Sequence, residues 1–191
     1  MKRRMIALTV ICLIIFTGCP FKKQDKYISE FHYLTANVKD IRFISEEDFI
    51  VRKDVAYLFS IYFPMTVNIG MNEIPFDLKM YPYPSLLYSS VKRGMMNIYP
   101  DNTFKPEETV TKYQMAILLA KYILTVDPFF DANFRAMKIN DVPESFFAYK
   151  PIVMMIASGI MESKNDSFYP NGTVSGYDAI RYFHKVREFY R

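Results

Sequence analysis

The 191-residue chain has no tryptophan, two cysteines, two histidines and only six glycines. Cys12 lies inside an amino-terminal apolar run and Cys19 closes it, so nothing beyond residue 19 is left to pair with. A disulfide framework and a cysteine-based metal site are thereby excluded. His32 and His184 read as packing or surface residues, not as ligands or proton carriers. No glycine-rich phosphate loop, no Gly-x-Ser-x-Gly elbow and no His-Glu-x-x-His pair occurs. A block of like charge is missing too. The 24 basic and 20 acidic side chains give +4, and without Lys2, Arg3 and Arg4 the count is 21 against 20, or +1. A nucleic-acid partner held by a basic face is not expected. These absences predict no enzyme, no catalytic residues, no metal and no cofactor. What the chain does have is apolar material: 51% of residues are hydrophobic and 17% aromatic, enough for a packed core without covalent staples.

The first residues read as a targeting segment. Lys2, Arg3 and Arg4 form a basic start, Met5 to Phe16 an apolar run, and Phe16-Thr17-Gly18-Cys19 a small-residue close. At about 12 residues the run is too short for a spanning helix, which needs roughly 20. The closing tetrapeptide resembles a bacterial lipobox, with Phe16 where leucine is usual. That resemblance implies a signal peptide over residues 1–18, cleavage before Cys19, lipidation of Cys19 and a membrane anchored through it.

The rest of the chain repeats itself. Asp77, Tyr83, Phe104, Pro106, Val110 and Thr111 recur as Asp141, Phe147, Phe168, Pro170, Val174 and Ser175, every pair 64 apart. A fixed period of this length means one supersecondary unit built more than once. Within it, Leu86, Leu87, Val91 and Met95 fit a first helix ending near Gly94, and Ile152, Val153, Ile156 and Ile160 fit its copy near Gly159. Loops rich in Pro, Asn and Asp follow at 97–106 and 165–172. Thr111 with Gln114, and Ser175 with Asp178, then have the spacing of helix-capping pairs. Met115, Leu118, Leu119 and Tyr122 form the stripe of the second helix; Ala179, Tyr182, Phe183 and Val186 form its copy. Met80, Met95, Met96, Met154 and Met155 read as adaptable core filling.

An eroded copy lies upstream. Residues 51–59 match 111–119 at an offset of 60, and Phe43-Ile44 stand in the place of Thr103-Phe104. Its first helix is expected around Lys26 to Ala36, where Tyr27, Ile28, Phe31 and Leu34 have roughly helical spacing.

The run Tyr99-Pro100-Asp101-Asn102-Thr103-Phe104-Lys105-Pro106, followed by Val110-Thr111-Lys112-Tyr113-Gln114 and Met115-Ala116-Ile117, resembles the S-layer homology repeat. The resemblance implies a mainly α fold: three helix–loop–helix repeats packed as a pseudo-trimeric bundle after a cleaved signal peptide. The boundaries are 19–72 for a degenerate first repeat, 73–130 for the second and 131–191 for the third. It further implies grooves between repeats that hold cell-wall polysaccharide or peptidoglycan. Carried over position by position, the cation is Arg52, Lys112 and then Gly176. The acid near it is Asp54, Gln114 and Asp178. The acid opening the unit is Asp77 and Asp141, and the aromatic is Tyr83 and Phe147. A guanidinium or ammonium pairs with an anionic substituent, and an aromatic face packs on a sugar ring. Asp77 and Asp141 serve equally well as turn acceptors, and Thr111 and Ser175 are read as caps.

The expectation is therefore an exported envelope lipoprotein, anchored at Cys19, that ties membrane to wall glycan through Arg52, Lys112, Asp77, Asp141, Tyr83, Phe147, Asp54 and Gln114. The alternative is an interaction module whose eroded grooves have given way to docking of an envelope protein, with Tyr81-Pro82-Tyr83-Pro84 and Asp127-Pro128-Phe129-Phe130 as candidate contacts.

Overall fold

The structure is a computed structural model and describes residues 49–64, 67–130 and 137–190. Residues 1–18, read above as a targeting segment, together with Cys19, His32, the helix expected at 26–36 and Phe43-Ile44, lie outside the described residues.

The described chain is mainly α-helical. Five helices follow one another: α1 (Arg52–Tyr62), α2 (Pro84–Lys92), α3 (Lys112–Val126), α4 (Tyr149–Ala157) and α5 (Gly176–Phe189), with short 3-10 turns at Met71–Glu73 and Phe76–Leu78. No helix among the described residues is long and apolar enough to cross a membrane. The residues before α1, α3 and α5 are Val51, Thr111 and Ser175, each in extended conformation. They are related by the offsets of 60 and 64 read from the sequence.

Helix α1 packs on α2, α3 packs on α4, and α5 packs on both α1 and α3. Each of α1 and α3 thus leans on the shorter helix that follows it. Where α1, α3 and α5 meet, Phe59, Leu119 and Phe183 share one repeat position and all three are fully buried. Phe59 meets Phe183 edge-on at 4.8 Å, and Phe63 stacks on Tyr122 at 3.8 Å. Edge and offset contacts of this kind add about 0.5–1.5 kcal/mol each to simple burial.

The helix starts are joined in a ring. Antiparallel bridges pair Val51 with Thr109, Thr111 with Thr173, and Ser175 with Phe49. The residues between carry the same order: Ile50 N–H donates to Val174 O at 2.8 Å and Val110 N–H to Ile50 O at 3.0 Å. A helix leaves its first N–H groups without internal partners. Here Arg52 and Lys53 donate theirs to Glu108 O and Pro106 O, at 2.9 and 3.0 Å. Lys112 and Tyr113 donate theirs to Gly172 O and Pro170 O, at 2.8 and 3.0 Å. The loop of one segment therefore terminates the helix of the one before it.

Two expectations need correction. Met95 and Ile160 do not belong to the first helices, which stop at Lys92 and Ala157. Gly94 and Gly159 take φ of +70° and +69°, a left-handed stop that costs glycine little. The turn closes through Met95 N–H to Ser90 O and Met161 N–H to Met155 O, at 2.9 and 3.0 Å. It aims Met95 and Ile160 back into the core, so both are buried without being helical. Met80 is the other exception. Unlike Met95, Met96, Met154 and Met155 it is 75% exposed, because it follows a 3-10 turn with no element packed over it.

Candidate functional site

The loops after α2 and α4 are held by one carboxylate each. Asp77 accepts hydrogen bonds from Phe104 N–H at 2.9 Å and Lys105 N–H at 2.7 Å. Asp141 does the same for Phe168 N–H at 2.8 Å and Tyr169 N–H at 2.6 Å. Lys105 and Tyr169 both have positive φ, 54° and 58°, so consecutive N–H groups converge into an anion-binding concavity. The concavity is filled from within the chain, and the turn-acceptor role open to these two acids is the one they take.

The cations approach the same two residues from the other side. Arg52, on the first turn of α1, donates from Nε to Phe104 O at 2.8 Å and from Nη2 to Asn97 O at 2.6 Å. Its guanidinium lies 5.0 Å from the centre of the Tyr99 ring and 4.7 Å from that of Phe104. Lys112, the first residue of α3, donates from Nζ to Phe168 O and sits 4.3 Å from the Phe168 ring centre. Burial pulls both cations below their ordinary values, opposed by Tyr99, Glu108 and Asp77 around Arg52 and by Asp178, Asp141 and Glu162 around Lys112. A guanidinium has five N–H groups and an ammonium three. The bonds to carbonyl oxygens use two on Arg52 and one on Lys112, leaving donors for an added acceptor.

Asp54, Gln114 and Asp178 stand one turn into their helices and cap them. Asp54 accepts from Val51 N–H at 3.3 Å and Gln114 from Thr111 N–H at 2.9 Å. Asp178 bonds Ser175 Oγ, which in turn accepts from Asp178 N–H, both at 3.1 Å. Thr111 Oγ1 is buried without a hydrogen-bond partner, so only the Gln114 arm of that capping pair forms. Asp54 is nearly buried, and desolvation pushes its carboxyl up to about 6.

The aromatics diverge. Tyr83 is 57% exposed and precedes α2 with φ of 51°. Phe147 is 71% exposed, yet it packs on Phe146 at 4.6 Å and meets Tyr113 edge-on at 5.5 Å. At Gly176 no side chain exists to match Arg52 and Lys112. A different cation, Arg181, stands one turn further along α5 and bonds Asp178 and Glu162, both at 2.9 Å. Burial alone would lower the Arg181 value, but Asp178 and Glu162 outweigh it and the net direction is upward. Lys185 reaches Glu162 from the next turn at 2.9 Å. Burial pushes Glu162 up, while Lys185 and Arg181 more than offset it and hold the carboxyl below its ordinary range.

Sequence reasoning missed Tyr99 and Glu108, which border Arg52, and the Arg181–Glu162–Lys185 group. Tyr99 was readable as part of the loop motif, and its hydroxyl donates to Glu108. The Arg181 group joins a helix to a distant loop and leaves no local pattern. His184 is buried on α5, 3.6 Å from Glu188 across one turn. Among the described residues, no three His, Cys, Asp or Glu side chains are grouped to hold a metal ion.

No curated protein matches the chain. Residues 90–116, which run from the end of α2 through the Arg52-bound loop to the first turns of α3, match the family model of the S-layer homology domain. Domains of this kind are cell-wall binding modules at the bacterial envelope, and the match supports a coarse role in envelope attachment.

Proposed function

We propose that this chain is a non-enzymatic envelope lipoprotein, exported by residues 1–18 and anchored at Cys19. Its body is three S-layer homology repeats, 19–72, 73–130 and 131–191, which bind polysaccharide attached to peptidoglycan and so tie membrane to wall. The observation that carries this reading is the family match at 90–116, joined to the recurrence of the same carboxylate–loop–cation arrangement 64 residues later. In this reading the remaining donors of Arg52 and Lys112 meet acidic groups of the glycan. Asp77 and Asp141 hold the loops that present them, Asp54 and Gln114 fix the helix starts, and Tyr83 and Phe147 border the seams. Retention of the protein on purified sacculi tests it. Retention on intact sacculi, and loss once the attached polysaccharide is stripped, is the expected result. Equal retention on both, or none on either, removes the polysaccharide as ligand.

A second reading, docking of an envelope protein, is favoured by one feature. Leu124, Val126, Phe129 and Phe189 are all exposed near the ends of α3 and α5, with Phe129 at 92%. Crosslinking in intact membranes that yields one dominant protein partner, unchanged after muramidase digestion, would support it.

A further inference from the structure

A cleft of about 370 Å³ opens where the end of α1 meets α2. Pro64, Ile69 and Leu86 give it an apolar wall, and Ser60, Ser89 and Arg93 supply polar groups. It lies away from the Arg52 seam: Ser60 is eight residues past Arg52 on α1, about 12 Å along the helix. The polar groups are sorted by kind. Ser89 Oγ donates to Leu86 O at 2.6 Å. Ser60 Oγ donates to the same carbonyl at 2.9 Å and lies 3.0 Å from Ser89 Oγ. A hydroxyl has one hydrogen and two lone pairs, so with their hydrogens turned to Leu86 O these two offer acceptors to the cleft.

One turn beyond Ser89, Arg93 caps α2 and donates from Nη1 to Phe63 O at 2.7 Å. That occupies one of the five N–H groups of a guanidinium. Burial pulls Arg93 below its ordinary value, opposed by Tyr122 and by no carboxylate. Among the described residues no Asp or Glu pairs with Arg93, whereas Lys53, Lys92, Arg181 and Lys185 each hold one. The fold does not need this polarity. At the repeat offsets Ser60 becomes Ala120 and Ser89 becomes Val153, both buried, and the cap Arg93 becomes the cap Ser158. The second unit packs α3 on α4 without the cation or the two hydroxyls. Donors at one end of the cleft and acceptors one turn away match a ligand with an anion next to an N–H group.

We propose that this cleft binds the free carboxy-terminal end of a short peptide. Arg93 takes the carboxylate, Ser60 and Ser89 accept the N–H of the terminal residue, and a small apolar side chain rests on Pro64, Ile69 and Leu86. Ligand pockets span about 300–1,000 Å³, so a cleft near the small end admits one or two small residues. The same chemistry can end a wall peptide, in a D residue, or a protein tail, in an L residue. The site shares no residue with the polysaccharide reading and stands or falls apart from it.

The test is titration of the full mature chain with acetyl-dialanine, followed by NMR. The peptide is used in L,L and D,D forms, each as the free acid and as the terminal amide. The variants are Arg93→Gln, which can still donate to Phe63 O, and the pair Ser60→Ala/Ser89→Ala. Lys121→Gln, which removes an exposed charge of α3 outside the cleft, is the control. The acid of at least one form should bind wild type, and its amide should bind at least about tenfold more weakly. Arg93→Gln should bring the acid down to the level of the amide, and the serine pair should lose about fivefold. Lys121→Gln should bind as wild type does. A preference for the D,D form assigns the cleft to a wall peptide, and a preference for the L,L form to a protein tail. No binding of either acid by wild type, or acid and amide bound alike, overturns the site without reference to any variant. Undiminished binding of the acid by Arg93→Gln, or a loss in Lys121→Gln as large as in Arg93→Gln, overturns it as well.

Discussion

Arg52 and Asp77 hold opposite polar groups of the same residue. Asp77 accepts from Phe104 N–H, and Arg52 donates to Phe104 O. One comes from the turn before α2 and the other from α1, so Phe104 locks a loop to a helix across the seam. Lys112 and Asp141 repeat the arrangement on Phe168. Both phenylalanines are fully buried, so the backbone groups that the clamp satisfies would otherwise be costly to bury.

Removing the carboxylate should therefore loosen the loop. Asp77→Ala is expected to cost about 2 kcal/mol, the range for charge-assisted bonds to N–H groups. Asp77→Asn keeps one acceptor and should cost about half as much. Urea denaturation of both variants and of the Asp141 pair checks this.

Val51 starts α1 where Thr111 and Ser175 start α3 and α5, and it has no side-chain oxygen. Val51→Ser or Val51→Thr supplies one at an extended N-cap position. A gain of about 0.5–1 kcal/mol is expected from the thermal midpoint. A loss would mean the valine methyl groups contribute more than a cap.

Gly94 has φ of +70° and open space around the place of a side chain. Gly94→Ala should cost about 1 kcal/mol from backbone conformation alone. Gly94→Asn should cost less, since asparagine tolerates the left-handed region. Steric repair elsewhere should not be visible by NMR.

Burial raises the folded-state value of Asp54 to about 6, from an ordinary 3.8. The proton is then favoured in the folded form. Stability linked to this group is fully present below about 4 and is lost as pH rises through 6. Asp54→Asn keeps an acceptor for Val51 N–H, as Gln114 does for Thr111, without the charge. It should be more stable than wild type by about 1–3 kcal/mol at pH 8 and lose that advantage near pH 4. The difference between the two proteins isolates this group from Lys53 and Glu107 beside it.

Much of the architecture was legible because it is written locally. Helix starts were visible in Thr111–Gln114 and Ser175–Asp178, helix stops in Gly94 and Gly159, and the loops in their Pro, Asn and Asp. The ends of α2 and α4 were set too late, because a left-handed glycine returns Met95 and Ile160 to the core at a spacing that imitates a helix. Which repeat touches which was not legible. The ring of bridges and the clamps on Phe104 and Phe168 are contacts between distant segments, and sequence shows the parts but not the partner. The exposed state of Met80 had no sequence signal, since methionine at that spacing reads as core.

The most direct test of the wall-binding account is a binding isotherm on intact sacculi for wild type and the double variant Arg52→Gln/Lys112→Gln. Glutamine can still donate to Phe104 O and Phe168 O, so equal thermal midpoints confirm that the seams persist. The account predicts at least about tenfold weaker binding by the folded double variant, the loss of charge-assisted contacts to acidic glycan groups. Isotherms that coincide, with midpoints that also coincide, would contradict it.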